Sequence, residues 1–205
     1  MIAIVDYGMG NVASVSTAFQ RLGYDVILTD QQEELKKASH IVLPGVGSFQ
    51  AAVDEITDRG LRDILIELAT EKPFLGICLG MQLLFSTGYE GGETTGLNLI
   101  PGKVKKMNTD FLLPHIGWNA LNINHAFPSY QRFQGDHVYF VHSYAVETDL
   151  RYVVATTDYD KDVTAIVKKG NVTGIQFHPE KSGDIGMDIL KTFLQEDSHD
   201  NYSSN

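Results

Sequence analysis

Four short strand candidates, at residues 2–5, 24–28, 40–43 and 73–77, alternate with segments patterned for helices through the first half of the chain. Val15, Ala18, Phe19 and Leu22 recur at i, i+3, i+4 and i+7, and Gly23 ends that pattern. Leu61, Ile64, Leu65 and Leu68 repeat it, and residues 79–85 read as one more helix. Strands alternating with helices predict parallel strands with covering helices, a doubly wound α/β sheet with a parallel core. The second half changes character. Residues 138–146, 151–156, 163–168 and 172–177 are closely spaced strand candidates, and Lys169-Gly170-Asn171 suits a hairpin turn between the last two. This half is expected to extend the same sheet with antiparallel strands, closed by a helix over 185–194. A single domain over 1–195 is expected, followed by a polar, flexible tail over 196–205.

Composition restricts the function class. Sixteen basic against 26 acidic residues give a formal charge of -10, which repels phosphate backbones. Nucleic acid is therefore not an expected partner. No apolar run reaches membrane-spanning length, and the N-terminus lacks a basic leader. The single cysteine, Cys78, can neither close an intrachain disulfide nor build a thiolate metal site, so a reducing, cytoplasmic location is expected and no metal or cofactor is called for.

Cys78 is either a small buried residue or a nucleophile. Its setting, Gly76-Ile77-Cys78-Leu79-Gly80 between a strand and a helix, has the form of a nucleophile elbow, in which a sharp turn lifts the side chain above the carboxyl edge of the sheet. The following helix N-terminus would favour a thiolate. A nucleophile needs a base. Of His40, His115, His125, His137, His142, His178 and His199, only His178 ends a strand and has a carboxylate, Glu180, two residues on. That carboxylate could fix the imidazole tautomer, leaving the other nitrogen for the thiol proton. The same segment also reads as a strand-end histidine beside a surface glutamate. Cys78 and His178 are 100 positions apart, so only the fold can join them.

Taken together, Gly-Ile-Cys-Leu-Gly-Met-Gln around Cys78 and Gln-Phe-His-Pro-Glu-Lys-Ser around His178 and Glu180 resemble the two catalytic motifs of the class I, triad-type glutamine amidotransferases, over nearly the whole chain. The resemblance implies a flavodoxin-like α/β fold and a Cys78–His178–Glu180 triad that releases ammonia from glutamine. It implies an oxyanion hole from backbone N–H groups at Val46 or Gly47, in Pro44-Gly45-Val46-Gly47, and at Leu79. It also implies that Gln82, Glu90, His142, Ser143 and Tyr144 border the substrate. Asp6-Tyr7-Gly8-Met9-Gly10-Asn11, Pro114-His115-Ile116-Gly117-Trp118-Asn119 and Tyr139-Phe140-Val141-His142-Ser143-Tyr144 make the chain similar to the glutaminase subunits of imidazole glycerol phosphate synthases. That likeness implies a partner: a (β/α)₈-barrel cyclase, in a heterodimer, that receives the ammonia and makes imidazole glycerol phosphate and an aminoimidazole carboxamide ribotide for histidine and purine synthesis. It also implies that the chain is nearly inactive alone, with glycines either side of Val46 letting the oxyanion peptide reorient when the loaded partner binds. Glutaminase subunits for anthranilate, aminodeoxychorismate or pyridoxal phosphate synthesis, a related cysteine hydrolase, and a non-catalytic scaffold are the alternative readings.

Overall fold

The computed structural model describes residues 1–196; the tail expected over 196–205 lies, from residue 197 onward, outside the described residues. In chain order the elements are β1 (Ile2–Val5), α1 (Val12–Arg21), β2 (Val26–Thr29), α2 (Gln32–Lys37), β3 (His40–Leu43), α3 (Phe49–Asp58), α4 (Arg62–Glu71), β4 (Phe74–Ile77) and α5 (Leu79–Leu83). There follow β5 (Phe85–Gly88), β6 (Thr94–Thr95), β7 (Ile100–Lys106), β8 (His115–Ala120), β9 (Asn122–Ile123), β10 (His137–His142), β11 (Tyr144–Thr148), β12 (Val153–Tyr159), β13 (Lys161–Lys169), β14 (Val172–Ile175) and α6 (Gly183–Glu196).

An eight-stranded sheet in the order β2-β1-β3-β4-β14-β13-β12-β9 forms the frame. Its first five strands are parallel and its last three join antiparallel. Strand period explains the two-sided burial. Ala3 and Val5 of β1 face one apolar core with Leu35, Phe49 and Leu65, whereas Ile2 and Ile4 face a second with Phe19, Leu190 and Phe193. Thus α2–α5 cover one side of the sheet and α1 and α6 the other, which is the doubly wound arrangement. Helix α1 buries Val15, Ala18 and Phe19, and stops where Gly23 takes φ +88°.

Three local expectations are corrected. The helix expected over 79–85 ends at Leu83, and Phe85 begins a strand. The carbonyls of Leu83 and Leu84 accept from the N–H groups of Leu97, Leu99 and Ile100 instead of from a further helical turn. The strand expected over 138–146 is two strands in two sheets. Strand β10 pairs with β8, while β11 belongs to a four-stranded sheet in the order β11-β7-β5-β6. The antiparallel half is therefore not one extension of the frame. Only β13, β12 and β9 join it, and two smaller sheets stand beside it. The hairpin at Gly170-Asn171 forms as expected, with Lys169 opposite Val172. No helix among the described residues is long and apolar enough to cross a membrane.

Candidate active site

Parallel pairing closes the gap of 100 residues. Ile77 of β4 lies opposite Ile175 of β14, and the Cys78 N–H donates to the Ile175 carbonyl at 2.7 Å. Both strands therefore deliver their next residues to the same carboxyl edge. Cys78 leaves β4 at φ 55° and ψ -114°, a backbone state that L residues rarely occupy. Such strain persists only where the surroundings impose it. Here a Cβ on Gly76 would lie 2.6 Å from the Gly80 carbonyl oxygen, and a Cβ on Gly80 would lie 1.9 Å from that of Leu43. The turn is possible because both flanking positions lack a side chain. Helix α5 that follows has only five residues, so its dipole is a smaller influence on the sulfur than a full-length helix would supply.

Beyond Ile175 the chain changes partners. The Gln176 N–H still bonds Ala165 in β13, but the His178 N–H donates to Tyr139 of β10. Pro179 then opens a single 3₁₀ turn, Pro179–Lys181, that brings Glu180 back beneath the imidazole. His178 Nδ1 and Glu180 Oε1 are 2.8 Å apart, and their side chains are 4% and 1% exposed. Glu180 Oε2 has no hydrogen-bond partner among the described residues, which leaves its charge directed at His178. Ser182 locks the turn by donating to the His178 carbonyl at 2.7 Å while accepting from the Tyr139 N–H. Burial alone would lower the His178 pKa. Hydrogen bonds to Cys78 and Glu180, and the charges on both, outweigh that and raise it to about 9.

A pocket of about 270 Å³ opens over the sulfur. It is bordered by Val46, Gly47, Cys78, Leu79, Gln82, Glu90, His142, Ser143, Tyr144 and His178, and also by Val141 and Lys181. Of the site residues named from sequence, only Glu180 is absent from the lining, because it sits behind His178. The volume suits an amino acid and falls just below the roughly 300–1,000 Å³ usual for drug-sized ligands. Leu79 is the first helical residue of α5, where backbone N–H groups lack intrahelical acceptors. The opposite lip, Val46-Gly47, is exposed at Val46, and the chain leading to it is braced by Tyr7, whose buried hydroxyl donates to the Pro44 carbonyl at 2.7 Å. Burial, and then the nearby Cys78, push the Tyr7 phenol pKa far above its usual range, so it remains a donor.

Gln82 gives both amide hydrogens to protein, to the Tyr144 carbonyl at 3.1 Å and to Gln176 Oε1 at 3.0 Å. Glu90 Oε2 accepts from the Phe49 N–H, tying the far rim of the pocket to the start of α3. Gln176, Lys181 and Ser182 were not singled out from sequence. All three stand inside the motif that carries His178, and Gln176, wholly buried, points its amide nitrogen at the Cys78 sulfur from 4.0 Å. A fully buried amide one residue past a strand end was the signal that sequence alone did not expose.

Residues 3–196 match the family described as glutamine amidotransferase class-I. The chain is 49% identical over 195 residues, 95% of each chain, to the imidazole glycerol phosphate synthase subunit HisH of Exiguobacterium sibiricum. It is 49% identical to the protein of that name in a Geobacillus species, over 94% of this chain and 95% of that one. The likeness to its Listeria monocytogenes counterpart is 45%, over 95% of both. Among solved structures, one described as a glutamine amidotransferase superposes with a TM-score of 0.76 at 19% identity, covering 95% of this chain and 98% of that one. PurLQS from Thermotoga maritima gives 0.72 at 20%, covering 95% and 97%. At such identities the structural likeness bears on the fold alone.

Proposed function

This chain belongs to the class I glutamine amidotransferase family, and we propose that within it the chain is the glutaminase subunit of imidazole glycerol phosphate synthase. It hydrolyses L-glutamine to glutamate and passes the ammonia to a (β/α)₈-barrel cyclase, which makes imidazole glycerol phosphate and the aminoimidazole carboxamide ribotide. The observation that carries the chemistry is the strained Cys78 elbow sharing one pocket with a buried His178–Glu180 pair. The choice of pathway rests on the HisH relatives at 45–49% identity.

The steps follow from the geometry. His178 takes the Cys78 proton, and its raised pKa lets it hold that proton as imidazolium. The thiolate attacks the side-chain carbonyl carbon of glutamine. N–H groups at Leu79 and at Val46 or Gly47 receive the oxyanion, each donor being worth roughly a hundred- to a thousandfold in rate. His178 returns the proton to the departing nitrogen, and ammonia leaves a glutamyl thioester on Cys78. Water, deprotonated by His178, then cleaves the thioester and releases glutamate.

The chain alone, and mixed with a barrel cyclase carrying its ribotide, should be assayed for glutamate release. High activity confined to the loaded mixture supports both the chemistry and the partner. Equal rates with and without the cyclase would rule out partner gating, and activity only with a chorismate-utilising synthase would reassign the pathway.

Two expectations concern His178. Its raised pKa means the imidazolium is present at neutral pH and lost as pH rises through about 9, so kcat/KM for glutamine is expected to fall above that pH as the proton donor to ammonia disappears. Glu180→Gln removes the facing charge, one of the two groups that hold the His178 pKa up against burial. The alkaline limb should move to lower pH and kcat should drop by about 10²–10⁴, as for loss of the orienting carboxylate in other triads. An unmoved limb in the variant would show that Glu180 does not govern His178.

A further inference from the structure

A second histidine pair lies against the same pocket, and the triad does not use it. His142, the last residue of β10, faces His115 across the β10–β8 ladder. His142 Nδ1 is 2.8 Å from the Tyr144 carbonyl, and its Nε2 is 3.1 Å from His115 Nδ1. His115 Nε2 is 2.8 Å from the Asn119 side-chain amide, whose other end reaches the Asp158 carbonyl at 3.0 Å. The run begins at a solvent-accessible amide and ends on the backbone that forms the pocket wall.

Proton counting decides how this run is arranged. A carbonyl only accepts, so His142 Nδ1 must carry hydrogen. A neutral imidazole has one N–H, so His142 Nε2 is then a lone pair and needs a donor. His115 can supply it only from Nδ1, which leaves its own Nε2 a lone pair. As placed, the Asn119 oxygen meets that lone pair, setting two acceptors in contact. Amide oxygen and nitrogen are alike in shape, and the network assigns them. With Asn119 turned, Nδ2 donates to His115, and the clash moves to the exposed Asp158 end, where the two oxygens have to part from 3.0 Å to admit a bridging water. The other way to satisfy every contact is a third proton shared by the two rings. Burial lowers both pKa values, that of His142 to about 4, and the charge of His178 opposes it further. The Phe140 and Tyr159 rings stack against His115.

We propose that Asn119 and His115 are positioning residues: a one-way run of donors, Asn119 to His115 to His142 to the Tyr144 carbonyl, fixes His142 as its Nδ1–H tautomer and thereby holds the substrate-facing wall at 142–144. The Tyr144 carbonyl also accepts from Gln82, so the run and the elbow helix meet on one oxygen. The effect on substrate rests on the glutaminase reading above; the tautomer does not.

Nitrogen-15 NMR of the histidines in the whole chain at pH 7 tests the tautomer without turnover. The expected result is a protonated Nδ1 and a bare Nε2 on both His142 and His115. An Nε2–H tautomer or an imidazolium on either ring overturns the proposal. Kinetics in the cyclase complex test the role. His115→Phe keeps a flat ring but offers His142 no donor, and should raise KM for glutamine about five- to tenfold with kcat little changed. His115→Gln, which offers an N–H, should recover most of that loss. Asn119→Asp, acceptor-only, should draw the third proton onto the rings and raise their pKa in the NMR titration. A fall in kcat with KM unchanged, or no recovery in His115→Gln, refutes the positioning role. If the wild-type complex itself fails to hydrolyse glutamine, the glutaminase reading falls while the NMR outcome still decides the tautomer.

Discussion

Cys78→Ala is expected to cut glutamine-dependent synthesis by about a millionfold, to background, while the same complex supplied with ammonia runs at its wild-type rate. Removing the nucleophile of an acyl-transfer triad removes nearly all that the triad contributes, because the other members then have nothing to activate. The substitution is mild structurally. Cys78 is 8% exposed, alanine is smaller, and the strained φ of 55° is imposed by neighbours that remain. Paired assays with glutamine and with ammonium salt separate loss of chemistry from loss of assembly. Should both activities disappear together, Cys78 would be holding the subunits together instead of attacking substrate.

Gly80→Ala is expected to be the most damaging single methyl group in the site. Its Cβ would lie 1.9 Å from the Leu43 carbonyl oxygen, at the end of β3 beside β4. Neither backbone can retreat without opening the parallel sheet, so a loss of about 3 kcal/mol or more is expected. For a chain of this size that is roughly 6–12 °C in Tm. Gly23→Ala is the control. Gly23 sits at φ +88°, where a side chain strains the backbone, but a Cβ there meets nothing within 4 Å, so only the backbone cost of about 1–2 kcal/mol applies. Equal shifts in Tm for the two variants would refute steric crowding as the reason for glycine at 80.

The parallel core was legible because its inner strands are buried on both faces and carry no competing pattern. Residues 2–5, 40–43 and 74–77 are almost wholly apolar, and β1 and β4 are buried at every position. Helix α3 did carry a helical period, Phe49, Ala52, Val53 and Ile56 at i, i+3, i+4 and i+7 behind the Ser48 cap, and is absent from the sequence expectations although its pattern equals that of α1. Helix α2 was not legible, because it spans six residues and buries only Leu35. The strands β5–β9 escaped for a related reason: β6 and β9 have two residues each, and β7 carries Pro101, Gly102 and three lysines around just two buried positions, Ile100 and Val104. Within the site, Cys78, His178 and Glu180 could be named because each needs a particular residue type beside a strand end. Gln176 and the His115–Asn119 run could not, since their importance comes from partners 98 and 27 positions away.

Strands β10 and β11 belong to different sheets, yet one residue, Ser143, separates them. This sets a rule for how such chains can diverge in length. Loops such as 107–114 and 124–127 can gain or lose residues and be absorbed at the surface. An insertion of one residue at 143 has no loop to absorb it and must be taken up as a bulge between two fixed ladders, carrying His142 or Tyr144 out of the pocket while leaving each sheet free to form. Length variation among working relatives should therefore gather in the outer loops and avoid this junction, and a scan of single-residue insertions, read by activity and by Tm together, should show position 143 losing activity well before stability.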